Sequence, residues 1–241
     1  MMKEFIEHIQ NTTQPLHATI KGSDYVICHD GTVTEIIPES AHPGTLDLSS
    51  LDALVKLIHT EAVNEAKSEI FVTIPSHTTV RCFGRPDYTQ RGYRHTFYEV
   101  KATDVPGWND TVKMGFEEMQ IALRTRFQET PDTQYVQRLL SEISTGAKVT
   151  FNDNGVATTI VTSKGIAMQG NETIRPIVTL RPYRTFQEVE QPESTFLIRV
   201  SERGITFTEA DGGMWKLKAR ETVKAYLEDA LKDLKGVIVA L

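Results

Sequence analysis

Residues 70–101 read IFVTIPSHTTVRCFGRPDYTQRGYRHTFYEVK, and this stretch decides the fold class. It opens with Ile70 to Ile74, a nearly continuous apolar run rich in β-branched residues that stops at Pro75. Such a run is too short for a helix and suits a central strand. Thr79 to Phe83 and Arg94 to Lys101 read as two more strands, and the stretch between them holds Gly84, Pro86 and Gly92, all poor element-interior residues. Three strands follow one another with no helix between, so the βαβ alternation of a doubly wound sheet is absent. The expected class is α+β, with antiparallel or mixed sheets and packed helices.

Upstream, Ser49 or Ser50 can cap a helix whose buried face is Leu51, Leu54, Val55, Ile58 and Ala62. Pro38 to Asp47 is a polar connector. Before it, Tyr25–Cys28 and Thr32–Ile37 flank Asp30-Gly31, a hairpin turn signal. Residues 3–10 fit a short helix.

Downstream, a helix starting at Asn109 or Asp110 places Val112, Phe116, Met119, Leu123 and Phe127 on one side. Thr130-Pro131-Asp132 starts a second helix, with Tyr135, Val136, Leu139, Leu140 and Ile143 inward and Gly146 at its end. The two form an αα-hairpin. Val149–Phe151 and Val156–Val161 then flank the turn Asn152-Asp153-Asn154-Gly155, and strands follow at Ile174–Arg181, Phe196–Val200 and Ile205–Phe207. A last helix from Ala219 to Leu234 precedes Val237–Val239, which can return to a sheet. The Gly146 region is the expected boundary between an N-terminal α+β subdomain (1–146) and a β-rich C-terminal subdomain closed by a helix (147–241), unless the two form one continuous domain.

At 241 residues and 39 % hydrophobic, the chain can bury a core without metal or disulfides. A net charge of −6 argues against wholesale attraction to nucleic acid or anionic lipid. The two cysteines, Cys28 and Cys82, make no disulfide framework and suit a reducing compartment. The first ten residues lack the apolar core of a signal peptide, and no run approaches a spanning helix. A cytoplasmic protein without membrane contact is expected.

Motifs for catalysis are scarce. Cys28-His29-Asp30 has suitable residue types, but neighbours on a strand point to opposite faces. The seven histidines contain no His-x-x-x-His pair and neither cysteine has a second nearby, so no metal site and no cofactor are expected. Gly212-Gly213 and Lys164-Gly165 lack the spacing of a phosphate loop. Glu188 and Glu190 share a strand face, but a solvated stretch beside Pro192 is the favoured reading, since exposed charges are the rule. Arg175, Arg181, Tyr183, Arg184, Arg199 and Arg203 are nearly balanced by Glu188, Glu190, Glu193 and Glu202 and read as structural. Trp215 reads as an anchor for the loop before the last helix.

The segment Val80–Lys101 stands apart. Arg81, Arg85, Arg91, Arg94 and Lys101 face only Asp87 and Glu99, with Phe83, Tyr88, Tyr93, Phe97 and Tyr98 interleaved. Arginine forks grip phosphates and aromatic faces stack on bases. Arg81, Arg85, Tyr88, Arg91, Tyr93 and Arg94 are therefore the candidate ligand-binding residues. The competing expectation is a hairpin whose aromatics pack inward while its arginines pair with acidic neighbours, or a self-association surface.

Read in order, Arg94-His95 opening a strand to Val100-Lys101, the Pro106-Gly107-Trp108 loop, the helix ending near Phe127, Val149-Thr150-Phe151, Pro182-Tyr183-x-x-Phe186 and the strand Phe196–Val200 form a familiar series. The chain from about Leu51 to Leu234 resembles the YfdQ-type family of uncharacterised bacteriophage and prophage proteins. That resemblance implies a phage-encoded protein made in the cytoplasm of an infected bacterium, and it carries over no catalytic residue. The expected function is an accessory protein that acts by binding, as a homo-oligomer. Its partner would be a host protein, such as a defence component, or a small anionic ligand such as a nucleotide. The alternatives are a nucleic-acid-binding accessory protein of replication or recombination, which the acidity disfavours, and an enzyme built from scattered carboxylates.

Overall fold

The computed structural model describes residues 2–3, 15–28, 30–36, 44–62, 69–88, 92–145, 148–153, 158–164, 167–201 and 203–241. The chain forms two compact units, Met1–Pro43 and Gly44–Leu241.

The first unit holds an antiparallel meander of β1 (Leu16–Ile20), β2 (Ser23–Ile27) and β3 (Val33–Ile36). Asp30-Gly31 makes the expected turn between β2 and β3: Gly31 sits at φ +84°, and the Asp30 carboxylate accepts from the Thr32 N–H at 2.9 Å. The strand before it is absent from the sequence reading. It enters through Lys21-Gly22, a two-residue turn with both φ values positive, the geometry that matches strand twist in tight hairpins.

In the second unit, one sheet runs β15-β5-β6-β7-β4, from β4 (Leu46–Leu48), β5 (Ile70–Ser76), β6 (Thr79–Asp87), β7 (Tyr93–Lys101) and β15 (Val237–Ala240). Its centre is antiparallel, while β15 pairs β5 and β4 pairs β7 in parallel. The residue 70–74 run is thus an inner strand, paired on both sides. Ile70, Val72 and Ile74 are buried and Phe71 and Thr73 only partly so, the two-residue alternation of a sheet covered on one face. Two helices supply the cover, α1 (Leu51–Leu57) and α4 (Met214–Ala230), through Leu51, Leu54, Val223 and Leu227. Ser50 caps α1, accepting from the Ala53 N–H at 3.1 Å, and the Tyr226 hydroxyl of α4 donates to Asp52.

A second sheet runs β12-β13-β14-β8, all antiparallel, from β8 (Thr111–Met114), β12 (Ile177–Leu180), β13 (Ser194–Ser201) and β14 (Gly204–Glu209). Against it packs the expected αα-hairpin of α2 (Phe116–Thr125) and α3 (Pro131–Thr145), burying Met119, Leu123, Phe127, Val136, Leu140, Phe196 and Phe207. The first of these helices begins later than its hydrophobic spacing suggested. Thr111–Met114 is a strand because Val112 and Met114 pair opposite Phe207 and Ile205 of β14. Glu118 then accepts the Gly115 N–H at 3.2 Å and fixes the helix start. Gly204 turns β13 into β14 at φ +131°, where a Cβ would stand 2.1 Å from the Met114 carbonyl oxygen.

A third meander, β9 (Lys148–Asp153), β10 (Thr158–Lys164) and β11 (Ala167–Thr173), includes the hairpin expected around Asn152–Gly155, whose tip at 154–157 lies outside the described residues.

The described residues on either side of position 146 belong to one compact unit, Gly44–Leu241, which starts after Pro43; Gly146 itself lies outside the described residues. Long-range pairing is the reason. β8 belongs to the sheet of β12–β14, and the C-terminal α4 and β15 complete the sheet of β4–β7.

Candidate functional site

Five of the six residues expected to grip an anion lie on the β6–β7 hairpin, and most are already engaged. Arg81 places Nη2 3.1 Å from Glu99 Oε1, and Lys101 Nζ is 3.4 Å from the same oxygen. Those contacts, Arg81's hydrogen bond first, hold the Glu99 carboxyl below its ordinary value. Arg85 pairs with Glu69 at 2.6 Å. Arg94 donates to the Gly84 carbonyl at 3.3 Å and lies over the Phe71 and Phe83 rings at 5.2 and 5.4 Å. Tyr88 and Tyr93 are 84 % and 63 % exposed at the tip. Arg91 lies outside the described residues.

Other candidates resolve into local structure. The Glu188 carboxylate accepts from the Leu51 N–H at 2.8 Å at the start of α1, whereas Glu190 pairs with Arg181, so the two serve different partners. Burial pushes the Cys82 thiol up to about 12, which keeps it protonated and inert as a nucleophile. His29 lies outside the described residues. Among the described residues no group of three or more His, Cys, Asp or Glu side chains is placed to hold a metal ion, and no helix is long and apolar enough to cross a membrane.

A different place gathers unsatisfied chemistry. Four segments meet at a cleft of about 650 Å³: the β5–β6 turn with His77 and Thr78, the loop after β7 from Ala102 to Asp110, the strap at Arg184, and the first turn of α4 with Trp215 and Lys216. The strap is held from several sides. Tyr183 N–H donates to the Arg126 carbonyl at 2.9 Å, and the Thr185 hydroxyl donates to the His77 carbonyl at 2.5 Å. The buried Gln191 amide accepts from the Arg184 N–H and donates to the Phe186 carbonyl, both at 2.9 Å.

This scaffold buries the Arg184 residue to 3 % exposure. One guanidinium nitrogen, Nη1, donates to Glu209, itself nearly buried. The planar group stacks 4.3 Å from the Trp215 ring centroid. Nε and Nη2 have no hydrogen-bond partner, and neither do the indole Nε1 atoms of Trp108 and Trp215. Among the described residues, the buried unmatched side-chain atoms of this cleft are thus all donors. Leaving a buried donor unpaired costs about 1–3 kcal/mol, more when it is charged.

The electrostatics follow from the same packing. His77 meets the Trp215 ring edge-on at 4.7 Å. Burial, then the Lys216 and Arg184 charges, hold it below its ordinary value, so the imidazole stays neutral at neutral pH. Burial also lowers Arg184, opposed by Glu209, Asp211 and Asp110, yet a guanidinium remains charged. Asp211 is engaged: it accepts from Ser194 at 2.8 Å and from the Gly213 N–H at 2.9 Å, fixing the turn that enters α4.

In sequence Arg184 belongs to a charge-balanced structural cluster and Trp215 to an anchoring loop, and nothing local marks His77, Trp108 or Lys216 as functional. One signal was present: both tryptophans of the chain follow glycine-containing loops, and both line this cleft. No protein family, curated protein or solved structure matches the chain.

Proposed function

We propose that this is a non-catalytic accessory protein that works by binding a small anionic ligand, such as a nucleotide, in the His77–Arg184–Trp215 cleft. The observation that carries it is the Arg184 guanidinium, buried yet donating through Nη1 alone, with Nε and Nη2 unpartnered. Those two N–H groups lie side by side on one edge of the plane, the fork that carboxylates and phosphates accept bidentately. A volume of about 650 Å³ falls within the roughly 300–1,000 Å³ of small-molecule sites.

The setting we propose is the cytoplasm of a bacterium carrying a phage or prophage, on the YfdQ-type resemblance of the chain from Leu51 to Leu234. The Arg81–Arg94 hairpin takes a different role in this proposal. Its described arginines are committed to Glu99, Glu69 and the Phe71 and Phe83 rings, while Tyr88 and Tyr93 are exposed. That composition suits contact with a host protein or a second copy of the chain better than a phosphate grip.

The test is native mass measurement of protein recovered from bacterial lysate, wild type beside Arg184→Lys. Wild type should retain an anionic small molecule that the variant loses. Ligand-free wild type that instead carries a host protein would shift the function to protein capture.

A further inference from the structure

We infer that the cleft takes a ligand ending in a single phosphomonoester and disfavours polyphosphates, an inference that rests on the anionic-ligand reading above. Donor geometry gives the first half. The free Nε–Nη2 edge of Arg184 matches two oxygens of one oxoanion. A carboxylate has both its oxygens engaged by that fork. A phosphomonoester keeps a third terminal oxygen, and the cleft has further donors for it in the indole N–H groups of Trp108 and Trp215 and the Lys216 ammonium.

Charge gives the second half. Arg184 and Lys216 are the permanent cations of the lining, and His77, on which both act, is neutral. Against them stand Asp110 in the lining and Glu209 and Asp211 acting on Arg184. A phosphomonoester brings a charge of about −1.5 to −2 at neutral pH, less negative charge than a di- or triphosphate sets against these carboxylates. The further phosphates of a di- or triphosphate would find Asp110 and no third permanent cation in the described lining.

The chain has two tryptophans, both in the cleft, so intrinsic fluorescence reports occupancy directly. The full-length protein is titrated with AMP, inorganic phosphate, ATP and benzoate. AMP and phosphate should change the emission saturably, with AMP binding at least roughly tenfold more tightly than ATP, as like-charge juxtaposition requires. Lys216→Met, at an exposed position, should weaken AMP binding several-fold without changing the circular dichroism. Arg184→Lys, which keeps the charge and loses the fork, should abolish it.

ATP binding as tightly as AMP overturns the phosphomonoester inference and leaves an anion site standing. Benzoate matching AMP reassigns the fork to carboxylates. AMP affinity unchanged in folded Lys216→Met removes the second cation from the argument and overturns the charge match. No saturable response to any of the four overturns both the inference and the anionic-ligand reading.

Discussion

Replacing Arg184 with Met should be among the most destabilising single changes in this protein. The Arg184 and Glu209 side chains are 2 % and 7 % exposed, so removing the cation strands a carboxylate out of water. Breaking a buried pair from one side costs about 3–5 kcal/mol. Losing the guanidinium stacked on Trp215 adds about 0.5–2 kcal/mol. Met is similar in length and apolar, so the cavity contribution is small. For a unit of this size each kcal/mol lowers Tm by about 2–4 °C, which puts the drop at roughly 7–28 °C. Urea denaturation of wild type, Arg184→Met, Glu209→Gln and the double variant, followed by circular dichroism, measures the coupling. Removing both charges should restore part of the loss, with a coupling of about 1–3 kcal/mol. A single variant within about 1 kcal/mol of wild type, or strict additivity, would refute the buried-pair reasoning.

Other consequences are open to simpler tests. His77 is held low by burial and by Lys216 and Arg184, while the Asp110, Glu209 and Asp211 carboxylates act on Arg184. The unfolded chain therefore takes up this proton at higher pH than the folded one. The stability contributed by neutral His77 is complete above about pH 6.5 and is lost as pH falls toward the folded value. His77→Gln should flatten that part of the stability–pH curve, and an unaltered curve would count against it. Gly204→Ala places a Cβ against the Met114 carbonyl at a φ that L residues avoid, so unfolding experiments should show a loss of roughly 2–4 kcal/mol; a loss near zero would mean the hairpin relaxes freely. Cys82 is buried and protonated while Cys28 is half-buried, so a thiol reagent should titrate Cys28 in the native protein and Cys82 only after denaturation. Arg85→Ala, which breaks an exposed pair with Glu69, should cost less than about 1 kcal/mol.

The parts of the fold legible in the sequence are those written in local pattern. The apolar, β-branched run Ile70–Ile74, the Ser50 cap, the Asp30-Gly31 turn and the Thr130-Pro131-Asp132 helix start each depend on neighbours a few residues apart. The parts that escaped depend on distant partners. Nothing near Val237 announces a parallel pairing with Ile70. Thr111–Met114 continues a helical hydrophobic spacing and becomes a strand only because β14 offers an edge. The first strand was missed for a different reason, since Lys21-Gly22 lacks the Asn or Asp that usually marks a tight hairpin. The cleft was the least legible feature. Its residues lie between positions 77 and 216, and Arg184 looks like any surface arginine until the strap, Glu209 and Trp215 close around it. The Arg81–Arg94 hairpin shows the converse. Its composition advertised a phosphate grip, and carboxylates supplied by β7 and by Glu69 took up two of its arginines.

The most direct measurement is the proton–nitrogen spectrum of the arginine Nε–H and tryptophan indole N–H groups during titration with inorganic phosphate. An oxoanion seated on the free fork should move the Arg184 Nε–H resonance downfield and shift both indole signals along the same saturation curve. Stationary Arg184 and indole resonances, up to phosphate concentrations where bulk ionic strength begins to act, would mean that the unpaired donors serve the fold alone.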